Sequence, residues 1–202
     1  MLIDFDTMHM VHANCHYSSP CVYVQHFWAS RGFVAFNIDY RLAHDQGLLP
    51  LQHNKTDDAV VQWNPKWQSA YPAVRDLKAA IRFVKHHATS YGVDPNRVVV
   101  SGGSAGATNS VAAGATFVTD YVNEISTDRD PTLAATLYPG INSSVQCVVA
   151  HWSSEEEVNL PQQYDVNKTT RWSADNAPIV EFHGNKDTTI PIEHAYAAKV
   201  CL

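Results

Sequence analysis

An α/β fold, with a mostly parallel sheet and helices on both faces, is predicted by two features of this sequence. Short strands run apolar from end to end, and helical patterns alternate with them. "RVVVS" (97–101), "VQCVVAHW" (145–152) and "PIVEFHG" (178–184) are the three runs that carry the prediction. With 202 residues, 45% hydrophobic and 17% charged, the chain can close one substantial core but not two. A single domain over residues 1–202 is expected.

In chain order, residues 1–18 match no regular pattern. Ser19-Pro20 can open a helix, because proline suits the first helical turn, and Val24, Phe27 and Trp28 offer an apolar face before Gly32 ends it. "FVAFNI" (33–38) reads as a buried strand, and the polar stretch 43–68 as a surface excursion carrying Trp63 and Trp67. From Pro72 the period turns helical: Val74, Leu77, Ile81 and Val84 recur every three or four residues until Gly92. His86 and His87 suit the end of that helix, where cations complement the dipole. The strand 97–101 leads into an Ala/Gly-rich helix from Ser104 to Ala115. The polar stretch 153–177, with Glu155, Glu156 and Glu157, reads as a surface insertion with a solvated acidic face. A last helix is expected from Ile192, with Pro191 at its entrance.

A net charge of −6 offers no basic footprint for nucleic acid, and no apolar run approaches the roughly 20 residues needed to span a membrane. Cys15, Cys21, Cys147 and Cys201 form no CxxC pair, which excludes zinc-ribbon and thioredoxin patterns and leaves their redox state open. His9, His12, Cys15 and His16 are spaced like metal ligands but lack a scaffold, so no metal is expected. Sequons at Asn54, Asn142 and Asn167 suit a secreted glycoprotein, with a cytoplasmic location as the alternative. The start, "MLIDFDTMHMVHANCH", lacks the basic and apolar regions of a signal peptide.

The chemistry concentrates in "RVVVSGGSAGATNS" (97–110). A hydroxyl is a poor nucleophile at neutral pH, so a catalytic serine needs a base at hand and donors for the developing oxyanion. Between a strand and a helix, Ser104 would stand on a strained turn, with Gly102, Gly103 and Gly106 leaving room around it. The new helix would aim its positive end at the reaction centre, and the Ala105 N–H would be one oxyanion donor. A phosphate-binding loop is the rival for such a turn. No lysine follows as in a Walker loop, however, and no GxGxxG is present.

Three blocks, "ASRGFVAFNIDYRL" (29–42), "YGVDPNRVVVSGGSAGA" (91–107) and "APIVEFHGNKDTTIP" (177–191), resemble the α/β-hydrolases. Within them they resemble the carboxylesterase/lipase group that includes the hormone-sensitive-lipase-like esterases. The resemblance covers about residues 20–202 and implies an incomplete α/β-hydrolase fold. It also implies a triad in the order Ser, Asp, His, a small-molecule ester as substrate and no cofactor. Asp187 matches the family's acid and stands after a strand, on the rim where α/β sheets bind ligands. It would fix a histidine's tautomer. His183 reads as structural.

Two departures follow. Only His194 comes after Asp187, which makes it the one candidate base within these residues. Its place inside the expected last helix is awkward for reaching Ser104 and Asp187 together, so the family's histidine is expected outside them. No HGGG-type segment precedes "ASRGFV", so the second oxyanion donor is missing. That loss alone costs roughly 2.7–4 kcal/mol of transition-state stabilisation, and weak or no turnover is expected. Strands missing from both edges would favour aggregation. A prolyl-oligopeptidase-like peptidase and a catalytically dead fold used for binding are the alternatives. Trp152 is the aromatic best placed to line a substrate pocket, ahead of Trp63, Trp67 and Trp172.

Overall fold

The computed structural model of the chain describes residues 2–5, 26–45, 47–50, 65–163 and 172–200. Five parallel strands form one sheet in the order β2-β1-β3-β4-β5: β1 (Leu2–Phe5), β2 (Ala35–Ile38), β3 (Val99–Gly103), β4 (Cys147–His151) and β5 (Ile179–Phe182). β1 pairs with β2 on one side and β3 on the other, so the order of connection reverses between β1 and β3. In open α/β sheets this reversal opens a crevice beyond the carboxyl ends of the strands. The strands predicted at 33–38, 97–101, 145–152 and 178–184 are all present, each shifted or trimmed by one or two residues.

β1 corrects the expectation for residues 1–18, which included no strand. "LIDF" takes a central place in the sheet, yet four residues without flanking turn signals give too short a period to recognise.

The long helix also starts earlier than expected. α1 spans Pro65–His86 and holds Pro72 in its interior. It draws its first turns from the stretch read as a surface excursion, because its opening residues show no apolar period. Tyr71, Val74, Leu77, Ile81 and Val84 are buried along one face. A short α2 (Ala88–Tyr91) follows, closed by Gly92 in the left-handed region at φ 63°.

α3 (Ala105–Ala115) packs with α1 on the face of the sheet that presents Val100, Val148 and Ala150. Its small side chains allow a close approach: a Cβ on Gly114 would lie 2.4 Å from Val148 Cγ2. Phe36 and Ile38 of β2 extend the same core.

Two 3₁₀ segments, Pro131–Thr136 and Glu156–Gln163, were not anticipated. The second changes the reading of 153–177. Ser153, Ser154, Glu157 and Val158 are buried, and the segment packs on α3 and α1. The acidic run is therefore divided between half-buried Glu155 and Glu156 and buried Glu157, and is not a solvated face. α4 (Glu193–Val200) closes the described chain as expected. Among the described residues no helix is long and apolar enough to cross a membrane.

Candidate active site

Ser104 occupies the corner between β3 and α3. Its N–H still donates to the His151 carbonyl at 3.0 Å, extending the ladder with β4, while its own carbonyl already accepts from Thr108 N–H at 3.0 Å, starting the helix. One residue therefore serves two incompatible backbone geometries, and it does so at φ 54°, ψ −124°. A positive φ on a residue with a Cβ is strained and persists only where the surroundings enforce it. The enforcing contact is at Gly102, where a Cβ would stand 2.4 Å from the Gly106 carbonyl carbon and 2.6 Å from its oxygen. Gly103, in register with His151, is the last residue of β3. The Ser104 hydroxyl makes no hydrogen bond among the described residues and does not cap α3. Ala105 opens α3, so its N–H and the positive end of the helix dipole lie beside that hydroxyl.

Asp187 lies five residues beyond β5, on the same rim. Its Oδ1 accepts from the N–H groups of Thr189 at 2.8 Å and Ile190 at 3.0 Å. These two donors, Ile190 first, together with the nearby His183 ring, hold its carboxyl below the usual carboxylate range. β4 stands between β3 and β5, so Ser104 and Asp187 follow strands that are two places apart in the sheet.

His183 has a buried ring wedged between three acceptors. Nε2 lies 2.7 Å from the Ile190 carbonyl and 3.9 Å from Asp187 Oδ2, and Nδ1 lies 3.2 Å from Glu181 Oε1. Glu181 in turn accepts from the N–H of Ser153 at 2.9 Å and its Oγ at 2.8 Å. This network ties the Asp187 loop to β5 and to the end of β4.

His194 stands in the first turn of α4, and its Nδ1 lies 3.0 Å from Glu155 Oε2. No ion pair joins it to Asp187 among the described residues. The stretch holding Glu155 touches α3, since the Ser154 N–H donates to Thr108 Oγ1 at 3.0 Å and Thr108 Oγ1 donates to the Ser104 carbonyl at 3.2 Å. Glu155 was missed as a partner for a histidine. The contact joins residues 39 positions apart, and the Glu155–Glu157 run reads locally as surface charge.

His151 and Trp152 complete the rim between Ser104 and Asp187. The His151 ring stacks on Phe182 at 5.2 Å between centroids. Trp152 bends at φ 46°, donates its N–H to the Phe182 carbonyl at 2.8 Å and is 40% exposed. Trp152 thus stands exposed just beyond the carboxyl end of β4. Trp172 packs against the main core instead.

The possible metal ligands His9, His12, Cys15 and His16 lie outside the described residues, as do Cys21 and Cys201. Cys147 is a free thiol.

Residues 59–150 match the BD-FAE family. The probable carboxylic ester hydrolase LipM of Mycobacterium tuberculosis is 25% identical over 135 residues, which make up 59% of this chain and 31% of LipM. Among solved structures, the propionate-bound esterase 2 of the planctomycete Thermogutta terrifontis superposes with a TM-score of 0.61 at 22% identity. That match covers 99% of this chain and 66% of the esterase. The same esterase phosphoramylated by tabun superposes with a TM-score of 0.60 at 24% identity, covering 99% of this chain and 65% of the other. The chain thus spans about two thirds of the solved esterase and under one third of LipM.

Proposed function

The chain has the α/β-hydrolase fold, and on that premise we propose that it is a serine carboxylic-ester hydrolase, with Ser104 as the nucleophile. The strained corner at Ser104, φ 54° with a hydroxyl that bonds to none of the described residues at the head of α3, is the observation that carries the proposal. Nothing in packing alone requires a side-chain-bearing residue there.

In the reaction Ser104 Oγ attacks the ester carbonyl as its proton passes to an imidazole. The Ala105 N–H and the α3 dipole stabilise the oxyanion, the imidazolium protonates the departing alcohol, and water then releases the acid from the acyl-enzyme. Asp187 is the proposed orienter of that imidazole, since Oδ1 is held by two backbone donors and Oδ2 remains to accept. A second reading takes its support from the 3.0 Å contact between His194 and Glu155, in which this pair supplies base and orienter. The propionate-bound relative suggests esters of short acids as first substrates.

Labelling with a fluorophosphonate tests the proposal, because only an activated serine reacts at an appreciable rate. The expected result is a single labelled site, lost in Ser104→Ala. Labelling that persists in Ser104→Ala would exclude it as the nucleophile. Among variants that fold, a tenfold or greater loss of labelling in Asp187→Asn with none in Glu155→Gln supports the first arrangement. The opposite pattern supports the second.

A further inference from the structure

The sequon Asn142-Ser143-Ser144 lies just ahead of Cys147, at the amino end of β4. Because β3 and β4 are parallel, this is the rim opposite Ser104. Asn142 is exposed and lies in irregular backbone. Its Oδ1 accepts three hydrogen bonds, from Lys85 Nζ at 2.9 Å, the Ser144 N–H at 3.1 Å and Ser144 Oγ at 2.6 Å. Ser144 Oγ itself accepts from Lys85 Nζ at 3.0 Å, which directs the serine proton to the amide oxygen. The bond from the Ser144 N–H makes this an Asx turn. With the oxygen engaged on all sides the amide plane is fixed, while Nδ2 donates to none of the described residues.

We propose that Asn142 is an N-glycan acceptor, presented by this Lys85–Ser144 clamp on the rim away from the catalytic corner. The transfer needs an asparagine amide, a hydroxyl residue two positions on and no proline between them. Here the hydroxyl already bonds the amide to be modified. The co-reactant is an oligosaccharide linked through pyrophosphate to a lipid. A bond forms between Nδ2 and C1 of the first sugar as the bond from C1 to the pyrophosphate oxygen breaks. Nδ2 gives one proton to a base of the transferase, and the lipid pyrophosphate leaves. Oδ1 keeps its three donors throughout, so the clamp survives the modification. Passage through a secretory compartment follows from this proposal, which stands apart from the chemistry at Ser104.

The test expresses the full chain behind a cleavable secretory leader in a eukaryotic host. Peptide N-glycosidase treatment in heavy-oxygen water then marks each glycosylated asparagine as a labelled aspartate for mass spectrometry. Asn142 is expected to carry the label. Asn142→Gln and Ser144→Ala should lose it, Ser144→Thr should keep it, and Asn54→Gln with Asn167→Gln should leave it unchanged. A chain whose leader has been removed but whose Asn142 stays unlabelled overturns the proposal. If a variant fails to fold, occupancy in the unaltered chain still decides the matter. A second arm incubates the purified, folded chain with oligosaccharyltransferase and a dolichyl-pyrophosphate oligosaccharide. Transfer to Asn142 is expected, and its absence while a sequon peptide is modified in the same tube overturns the proposal.

Discussion

At Gly102, a single missing methyl group permits the elbow. Any Cβ there would press into the backbone of Gly106, which cannot move without unwinding the first turn of α3. Gly102→Ala is therefore expected to destabilise the fold by about 3 kcal/mol and to abolish labelling of Ser104, as read by denaturant unfolding and fluorophosphonate reaction. Asp187 illustrates a charge held by backbone. Its folded pKa is depressed by the Ile190 and Thr189 N–H groups, so the order it lends the 184–190 turn is fully present above the unfolded value of about 3.9. That order should fade as pH falls below it, through the folded value. Amide shifts of Thr189 and Ile190 should follow a titration midpoint below the ordinary carboxylate value, and a midpoint above it would contradict the hydrogen bonding described.

α1 is more than a greasy rod against the sheet. Its apolar positions were readable from their spacing, but Arg75, Lys78 and Arg82 are equally buried. They donate to backbone carbonyls of the segment joining α3 to β4: Arg75 to Val122 at 2.8 Å, Lys78 to Phe117 at 2.7 Å and Arg82 to Thr136 at 3.1 Å. An irregular segment has no ladder to satisfy its carbonyls, and the long cationic side chains of the buried helix face supply the missing donors. Lys78→Met keeps the bulk and removes the donor, so it should cost about 2–4 kcal/mol, measured by chemical unfolding. A loss below about 0.5 kcal/mol would mean that these bonds contribute nothing net. At the end of the same helix, burial lowers the Lys85 ammonium to about 8. The unfolded chain holds that proton up to about 10.4, so between these values the unfolded state binds more protons and stability rises with pH. Lys85→Met should remove that rise from a pH series of unfolding curves.

Across the whole molecule, α1 and α3 cover one face of the sheet, while β5 stands at an edge with Val180 46% and Phe182 55% exposed. An apolar strand whose outer side pairs with none of the described residues can template association. Val180→Lys combined with Phe182→Ser should lower light scattering at a given concentration without shifting the unfolding midpoint by more than a few degrees. Unchanged scattering would clear β5 of that role. At the other edge, the bidentate pair of Arg41 with Asp76, Nη2 to Oδ1 at 2.7 Å and Nε to Oδ2 at 3.0 Å, fastens the end of β2 to α1.

Much of the fold was legible in short windows of sequence: apolar strands alternating with helices, the small-residue helix after "SGGSAG" and the rim positions of Ser104 and Asp187. Each depends on residues close together in the chain, where periodicity and turn chemistry act directly. Less legible were the central place of β1, the early start of α1, the burial of Glu157 and the pairing of His194 with Glu155. These depend on which segments meet across the sheet, and a four-residue strand or a lone carboxylate carries no local mark of its distant partner. The clamp on Asn142 belongs to both levels, since its motif is written in three consecutive residues while the lysine that holds it comes from 57 positions away.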